Sequence, residues 1–104
     1  MANVKAVFLV PILDNDGRSL AGEILQARAG LWKQFSAYTF EGQTEGVFRM
    51  ADGSQAIDVH ERYSLILDEL RLAELETVLR DFKSKTLLES IYLEIQRGVE
   101  LRLI

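Results

Sequence analysis

The sequence predicts a ferredoxin-like split β-α-β domain (βαββαβ), in which four antiparallel strands form one sheet and two helices cover one of its faces. Three observations predict this α+β fold: an apolar strand near the start, two helical stripes of apolar residues, and a central hairpin signal. The 104 residues, 48% of them hydrophobic, suit a single domain over 1-104 with one core.

The first strand is predicted over residues 4–10, because apolar side chains occupy both of its faces. Pro11 has no N–H for a sheet hydrogen bond, and the next residues, 14–17, have the composition of a turn. The first helix is predicted over residues 19–35, with Ser19 or Asp16 as its cap. Its apolar stripe consists of Leu20, Ile24, Ala27, Leu31 and Phe35, with Trp32 beside it.

A long hairpin is predicted over residues 38–68, turning at Asp52-Gly53 between two apolar-rich arms. A two-residue turn there pairs Ala51 with Ser54 and sets the register of both arms. Apolar and polar residues then separate onto opposite faces. Because each arm is more than twice the typical strand length, we expect a bulge near Gly42 or Gly46.

The second helix is predicted over residues 70–84 and the fourth strand over residues 89–96, where apolar and polar residues alternate. The tail, residues 97–104, keeps the same apolar alternation. It either continues the strand past a bulge at Gly98 or folds back as a hairpin. Because the tail is so apolar, we expect it either to pack within the chain or to contact another molecule.

Charge and composition exclude several classes of function. Twelve basic and sixteen acidic residues give a net charge of −4, which disfavours binding to nucleic acid or to an anionic membrane surface. The chain has no cysteine, so thiolate chemistry and disulfides are absent. No signal peptide or membrane-spanning stretch is recognised, and a cytoplasmic location is predicted.

Glu61 is the main candidate for a functional residue. The predicted register turns this carboxylate toward the apolar face, where burial is costly unless the group is paired. It lies opposite Thr44, and the adjacent glycines leave space, so a pocket is predicted with Tyr63 and Trp32 as further ligand-binding candidates. Such a carboxylate suits a general base or a site for a cationic or hydroxylated ligand. The alternative is that a bulge or a projecting hairpin places Glu61 in water.

The remaining polar groups indicate little chemistry. Asp14 and Asp16 are weak metal-ligand candidates, but their spacing does not continue as a calcium loop, and a turn with a helix cap is the favoured interpretation. His60, the one histidine, is interpreted as a solvated surface residue. We therefore predict no cofactor.

The segment VPILDNDGR, a Trp-x-x-Phe helix end, a strand with Gly-Val-Phe and an Asp-Gly turn resemble a group of small bacterial proteins with a VPxxDNDG opening. The resemblance covers about the first two-thirds of the chain, chiefly residues 10–17, 32–35 and 39–53. It implies a ferredoxin-like domain and no particular activity.

The leading hypothesis is a self-associating binding or assembly module, a homo-oligomer and specifically a dimer, that pairs through sheet edges or its C-terminal strand. The sequence favours a non-enzymatic role, because catalytic machinery is sparse. The alternative is a small-molecule-binding protein or enzyme that uses the Glu61 pocket.

Overall fold

The computed structural model describes residues 2–104 and confirms the predicted α+β fold. Four strands form one antiparallel sheet in the order β2-β3-β1-β4, which is the ferredoxin-like order. The strands are β1 (Asn3–Pro11), β2 (Thr39–Arg49), β3 (Gln55–Asp68) and β4 (Tyr92–Gln96). The helices are α1 (Ala21–Phe35) and α2 (Leu72–Ser84), and a short 3₁₀ turn, Glu69–Arg71, precedes α2.

The core lies between the helices and the face of the sheet that they cover. Strand β1 is central, and four of its alternate side chains enter this core: Val4, Ala6, Phe8 and Val10. Leu31 of α1 and Leu75 of α2 reach the same layer from above, 2% and 0% exposed. On the opposite face of β1 only Val7 is fully buried, while Lys5 and Leu9 are partly exposed. The two-sided apolar pattern of β1 thus reflects its central place.

The predicted hairpin is present, but its register was wrong by one residue next to the loop and by two residues beyond the bulge, where Phe40 pairs with Tyr63 instead of Leu65. The Met50 amide donates to the Ser54 carbonyl at 2.8 Å, so the loop has three residues rather than two. Gly53 adopts a φ of 87°, the left-handed conformation that closes this type of three-residue loop. Near the loop, Val47 therefore pairs with Ile57, and Phe48 lies on the opposite face from the one predicted.

The predicted bulge is confirmed at Gly42. The register shifts between Phe40 and Gln43, and Gly42 has a φ of 97°, a conformation that strains any residue with a Cβ. Beyond the bulge, residues 45–59 of the hairpin extend past Pro11, where the pairing of β1 with β3 ends. This projecting two-stranded segment, residues 45–59, is called the ribbon below. It contributes to an elongated shape, 47 × 27 × 23 Å.

The C-terminal region differs from both predicted alternatives. Strand β4 begins at Tyr92 rather than at residue 89, and residues 97–104 form neither a strand nor a returning hairpin. The tail leaves the sheet near the start of β1, because Gln96 pairs with Lys5. No helix formed by residues 2–104 is long and apolar enough to cross a membrane.

Candidate functional site

Glu61 lies on the face of the sheet that the helices cover. This is the face predicted from the alternation of apolar and polar residues along the hairpin. On one side it pairs with Val10 of β1, and on the other with Gln43 of β2. Its side chain is only 16% exposed, so the carboxylate requires compensation. The predicted neighbour Thr44 is absent from this face, because the corrected register moves it to the other side.

Arg28 of α1 compensates the Glu61 carboxylate. Its Nη2 lies 3.3 Å from Glu61 Oε1 and 3.5 Å from Oε2. The Tyr63 hydroxyl donates to Glu61 Oε1 at 2.6 Å and accepts from Arg28 Nε at 2.8 Å. The three side chains form a closed, charge-neutral network, called the Arg28 cluster below. Helix α1 and strand β3 are thereby joined across the edge of the core.

Two aromatic rings hold the Arg28 guanidinium in place. Its central carbon lies 4.9 Å from the centre of the Phe40 ring and 5.5 Å from the centre of the Tyr63 ring. Burial, and then the hydrogen bond to Glu61, raise the pKa of Tyr63 to about 12. The hydrogen bond to Tyr63 leads the causes that raise the pKa of Arg28. At neutral pH, Tyr63 is therefore a fixed hydrogen-bond donor and Arg28 a fixed cation.

A groove of about 380 Å³ opens beside the Arg28 cluster. Arg28, Glu61, Gln43 and Ser19 supply its polar groups, and the rest of the lining is apolar: Ile12, Leu13, Ala21, Ile24 and Leu25. Apolar walls with a few convergent polar groups are the usual composition of a small-molecule site. Because Arg28 neutralises Glu61, the groove suits a ligand that hydrogen-bonds to both groups better than it suits an isolated cation. Glu61 acts as a general base only after it exchanges these partners.

The structure places the other sequence-predicted ligand residues apart from this groove, except for Tyr63. Tyr63 is 2% exposed and contributes through the cluster. Trp32 is 63% exposed on α1 and does not line the groove. Thr44 pairs with His60 on the opposite face of the sheet. There, Thr44 Oγ1 and His60 Nδ1 are buried without a partner among the described residues, so His60 is less solvated than predicted.

Asp14 and Asp16 stabilise the turn after β1. Asp14 Oδ1 accepts from the backbone amides of Asn15 at 2.9 Å and Leu87 at 2.7 Å, while Arg18 approaches its Oδ2 at 3.1 Å. Burial raises the pKa of Asp14, but these hydrogen bonds outweigh it and hold the pKa below its ordinary value. Asp16 accepts from the Arg18 amide at 3.0 Å. Within residues 2–104, no group of three or more acidic, histidine or cysteine side chains is arranged to hold a metal.

Arg28 is the site residue that sequence reasoning missed. It follows Ile24 by one helical turn and lies beside Leu31, so its place near the core is visible in the spacing of α1. The signal that identifies it is the core-facing Glu61, because a buried carboxylate needs a cationic or hydrogen-bonding partner.

No protein-family model and no curated protein matches the chain. Among solved structures, it is similar to a phage SAM lyase in complex with S-methyl-5'-thioadenosine, at 15% identity and a TM-score of 0.68. That match covers 91% of this chain and 81% of the lyase. CutA1 from Oryza sativa is similar at 10% identity and a TM-score of 0.67, over 98% of this chain and 84% of CutA1. At such identities the likeness shows the fold alone, and it supports the ferredoxin-like assignment.

Proposed function

We propose that this protein is a binding module that assembles with a second copy of itself, as a homodimer. The observation that carries the proposal is the apolar surface of the ribbon. Its large apolar side chains are about half exposed on both faces: Val47 (58%), Phe48 (49%) and Ile57 (55%), followed by Met50 (45%) next to the loop. Clustered exposed apolar side chains are typical of interaction sites.

The ribbon also has little support from the rest of the fold beyond its base, where the Ile12 amide donates to the Val59 carbonyl at 3.2 Å. Residues 45–49 and 55–59 pair with each other but have no third strand beside them in the described chain. A two-stranded hairpin is marginally stable by itself in water, and a packing partner is what usually stabilises it. A second copy supplies such a partner and removes the apolar side chains from water.

The tail supplies a second apolar surface, at the other end of the sheet. Leu101 is 50% exposed and Leu103 is 92% exposed. Strands β2 and β4 are the two edges of the sheet, so their outer backbone groups are also available for pairing. These features support the predicted association through sheet edges or the C-terminal segment. The predicted cytoplasmic location stays a prediction.

We expect sedimentation velocity to show a species of twice the chain mass at micromolar concentration. Replacing Val47 and Phe48 together with serine is expected to raise the dissociation constant at least tenfold, because apolar area is lost from the contact. Leu70→Ser is the matched control, since Leu70 is 86% exposed but lies on the 3₁₀ turn away from the ribbon. A wild-type monomer at all accessible concentrations contradicts the proposal.

The groove beside Arg28 supports a second candidate function, the binding of a small molecule that contacts Arg28 and Glu61. The observation that favours it is the presence of Arg28 and Glu61 together on a largely apolar groove of suitable volume. The phage SAM lyase with a similar fold holds S-methyl-5'-thioadenosine, which makes that compound a reasonable first probe.

Calorimetric titration with S-methyl-5'-thioadenosine is expected to give binding at up to millimolar concentration. Glu61→Gln is expected to weaken that binding at least fivefold, because the polar floor of the groove changes. Glu74→Gln is the control, since Glu74 lies on the exposed side of α2, in an ion pair with Arg71. Equal affinity in wild type and Glu61→Gln excludes this groove as the binding site.

A further inference from the structure

A second cleft lies at the end of the sheet where the ribbon begins. Its volume is about 590 Å³, and it opens between the end of β1, the ribbon and the segment that leads into β4. Its apolar lining includes Leu13, Phe48 and Ile57, which are half exposed. An extended peptide with apolar side chains therefore fits the chemistry of its walls.

The charged groups on this cleft are acidic. Asp58 and Glu89 line it together with Asp14, and its lining includes no lysine or arginine. Asp14 is already held by backbone amides and Arg18. The carboxylates of Asp58 and Glu89 take part in none of the ion pairs of residues 2–104. A cation between apolar groups is thus the complementary ligand.

The tail has this complementary pattern. Leu101 and Leu103 flank Arg102, and in an extended chain the two leucines project to one side and the arginine to the other. Among residues 2–104, Arg102 forms an ion pair only with Glu100, at 2.8 Å, and both side chains are about three-quarters exposed. Such an exposed pair contributes little stability, so Arg102 exchanges its partner at small cost.

The tail starts at the opposite end of the sheet from the cleft. Arg97 Nε donates to Glu69 Oε1 at 2.7 Å, which fixes the start of the tail near the first residues of β1. Gly98, with a φ of 74°, then redirects the chain, and the residues beyond it extend into solvent. The eight residues of the tail span at most about 29 Å when fully extended. The cleft lies more than about 20 Å from the start of the tail, measured along β1. The tail must also reverse its direction to return to its own cleft.

A second copy placed antiparallel beside the first removes this difficulty. Each tail then starts next to the cleft of the other copy, and the two contacts are equivalent by the two-fold axis. We infer that residues 99–104 of each copy lie in the cleft of the other, with Leu101 and Leu103 against Leu13 and Phe48, and Arg102 held by Asp58 and Glu89. This inference rests on the proposed self-association and specifies its contact.

A charge exchange tests the contact between Arg102 and the cleft. Arg102→Glu and the double variant Asp58→Lys/Glu89→Lys are each expected to raise the dissociation constant of the dimer at least tenfold in sedimentation experiments. The triple variant that combines them is expected to return to within about threefold of wild type. Its matched control is Asp58→Lys/Glu89→Lys/Arg80→Glu, which has the same net charge but leaves Arg102 facing lysines.

A disulfide experiment keeps the test independent of the folding of the triple variant. Because the chain has no cysteine, Leu103→Cys and Ser90→Cys chains with different mass tags provide one thiol each, and Ser90 lines the cleft. Mild oxidation of a mixture is expected to link unlike chains predominantly. The control mixture replaces Ser90→Cys with Leu70→Cys.

The outcomes separate this inference from the proposed function. The tail contact is overturned if both charge variants dimerise with wild-type affinity. It is also overturned if Leu103→Cys forms a disulfide with position 70 as efficiently as with position 90. Either result leaves the proposed self-association intact. A disulfide between Leu103→Cys and Thr44→Cys of β2, formed in place of the one with Ser90→Cys, also overturns the tail contact. That result favours pairing of the tail with the edge of the sheet. A monomeric wild type overturns both.

Discussion

Replacing Phe8 with alanine is expected to lower the free energy of unfolding by about 3–5 kcal/mol, because a buried aromatic side chain is deleted from the centre of the sheet. Phe8 is 1% exposed on the central strand β1. Its ring stacks on Tyr63 with the ring centres 5.5 Å apart and the planes 14° apart. Urea denaturation followed by circular dichroism measures the loss, at a fixed protein concentration because the proposed self-association would add to the apparent stability.

Phe40→Ala is the matched control for Phe8→Ala. Phe40 also contacts Tyr63, with ring centres 5.5 Å apart, but it is 45% exposed. Its removal is expected to cost about 1 kcal/mol, since much of its surface is already in water. Equal losses for the two variants contradict the position of the core described above.

Replacing Arg28 with methionine is expected to lower the free energy of unfolding by about 1–2 kcal/mol. Breaking a fully buried ion pair typically costs about 3–5 kcal/mol, because one charge is left unpaired. Here the side chains of Arg28 and Glu61 are 31% and 16% exposed, so solvent screening reduces the loss. The remaining hydrogen bond from Tyr63 limits it further.

The double variant Arg28→Met/Glu61→Gln distinguishes an ion pair from simple packing. Glu61→Gln removes the unpaired charge, so the double variant is expected to be more stable than Arg28→Met alone. A thermodynamic cycle from urea denaturation of the four proteins measures the coupling, which is about 0.5–3 kcal/mol for residues in contact. If the losses in free energy of unfolding of the two single variants sum to that of the double variant, Arg28 and Glu61 are not energetically coupled.

The predictable part of the fold is the part governed by local pattern. The apolar stripes of α1 and α2 and the two-sided apolar character of β1 placed these elements within a few residues of their observed bounds. The position of Glu61 on the core face was predicted for the same reason. Strand β3 is regular where it pairs with β1, so alternation along it is reliable.

The unpredictable part depends on single residues in the hairpin. Asp52-Gly53 suits both a two-residue loop and a three-residue loop with glycine in the left-handed position, and only the hydrogen bond between Met50 and Ser54 decides between them. The choice shifts the register by one and turns every side chain of β2 between the loop and the Gly42 bulge to the other face. For this reason Thr44 lies outside the predicted site. Arg28 belongs to the site because of a contact between α1 and β3 that the local sequence pattern does not encode.

The Gly42 bulge allows the two parts of β2 to carry different patterns of apolar residues. Phe40 and Phe48 are an even number of residues apart, yet they face opposite sides of the sheet, because the bulge adds one residue between them. Strand β3 has no such extra residue, so its alternation continues unbroken from the body of the fold into the ribbon. The bulge therefore lets Phe40 pack against Tyr63 beside the core while Phe48, at the same parity in the sequence, lies on the outer face of the ribbon.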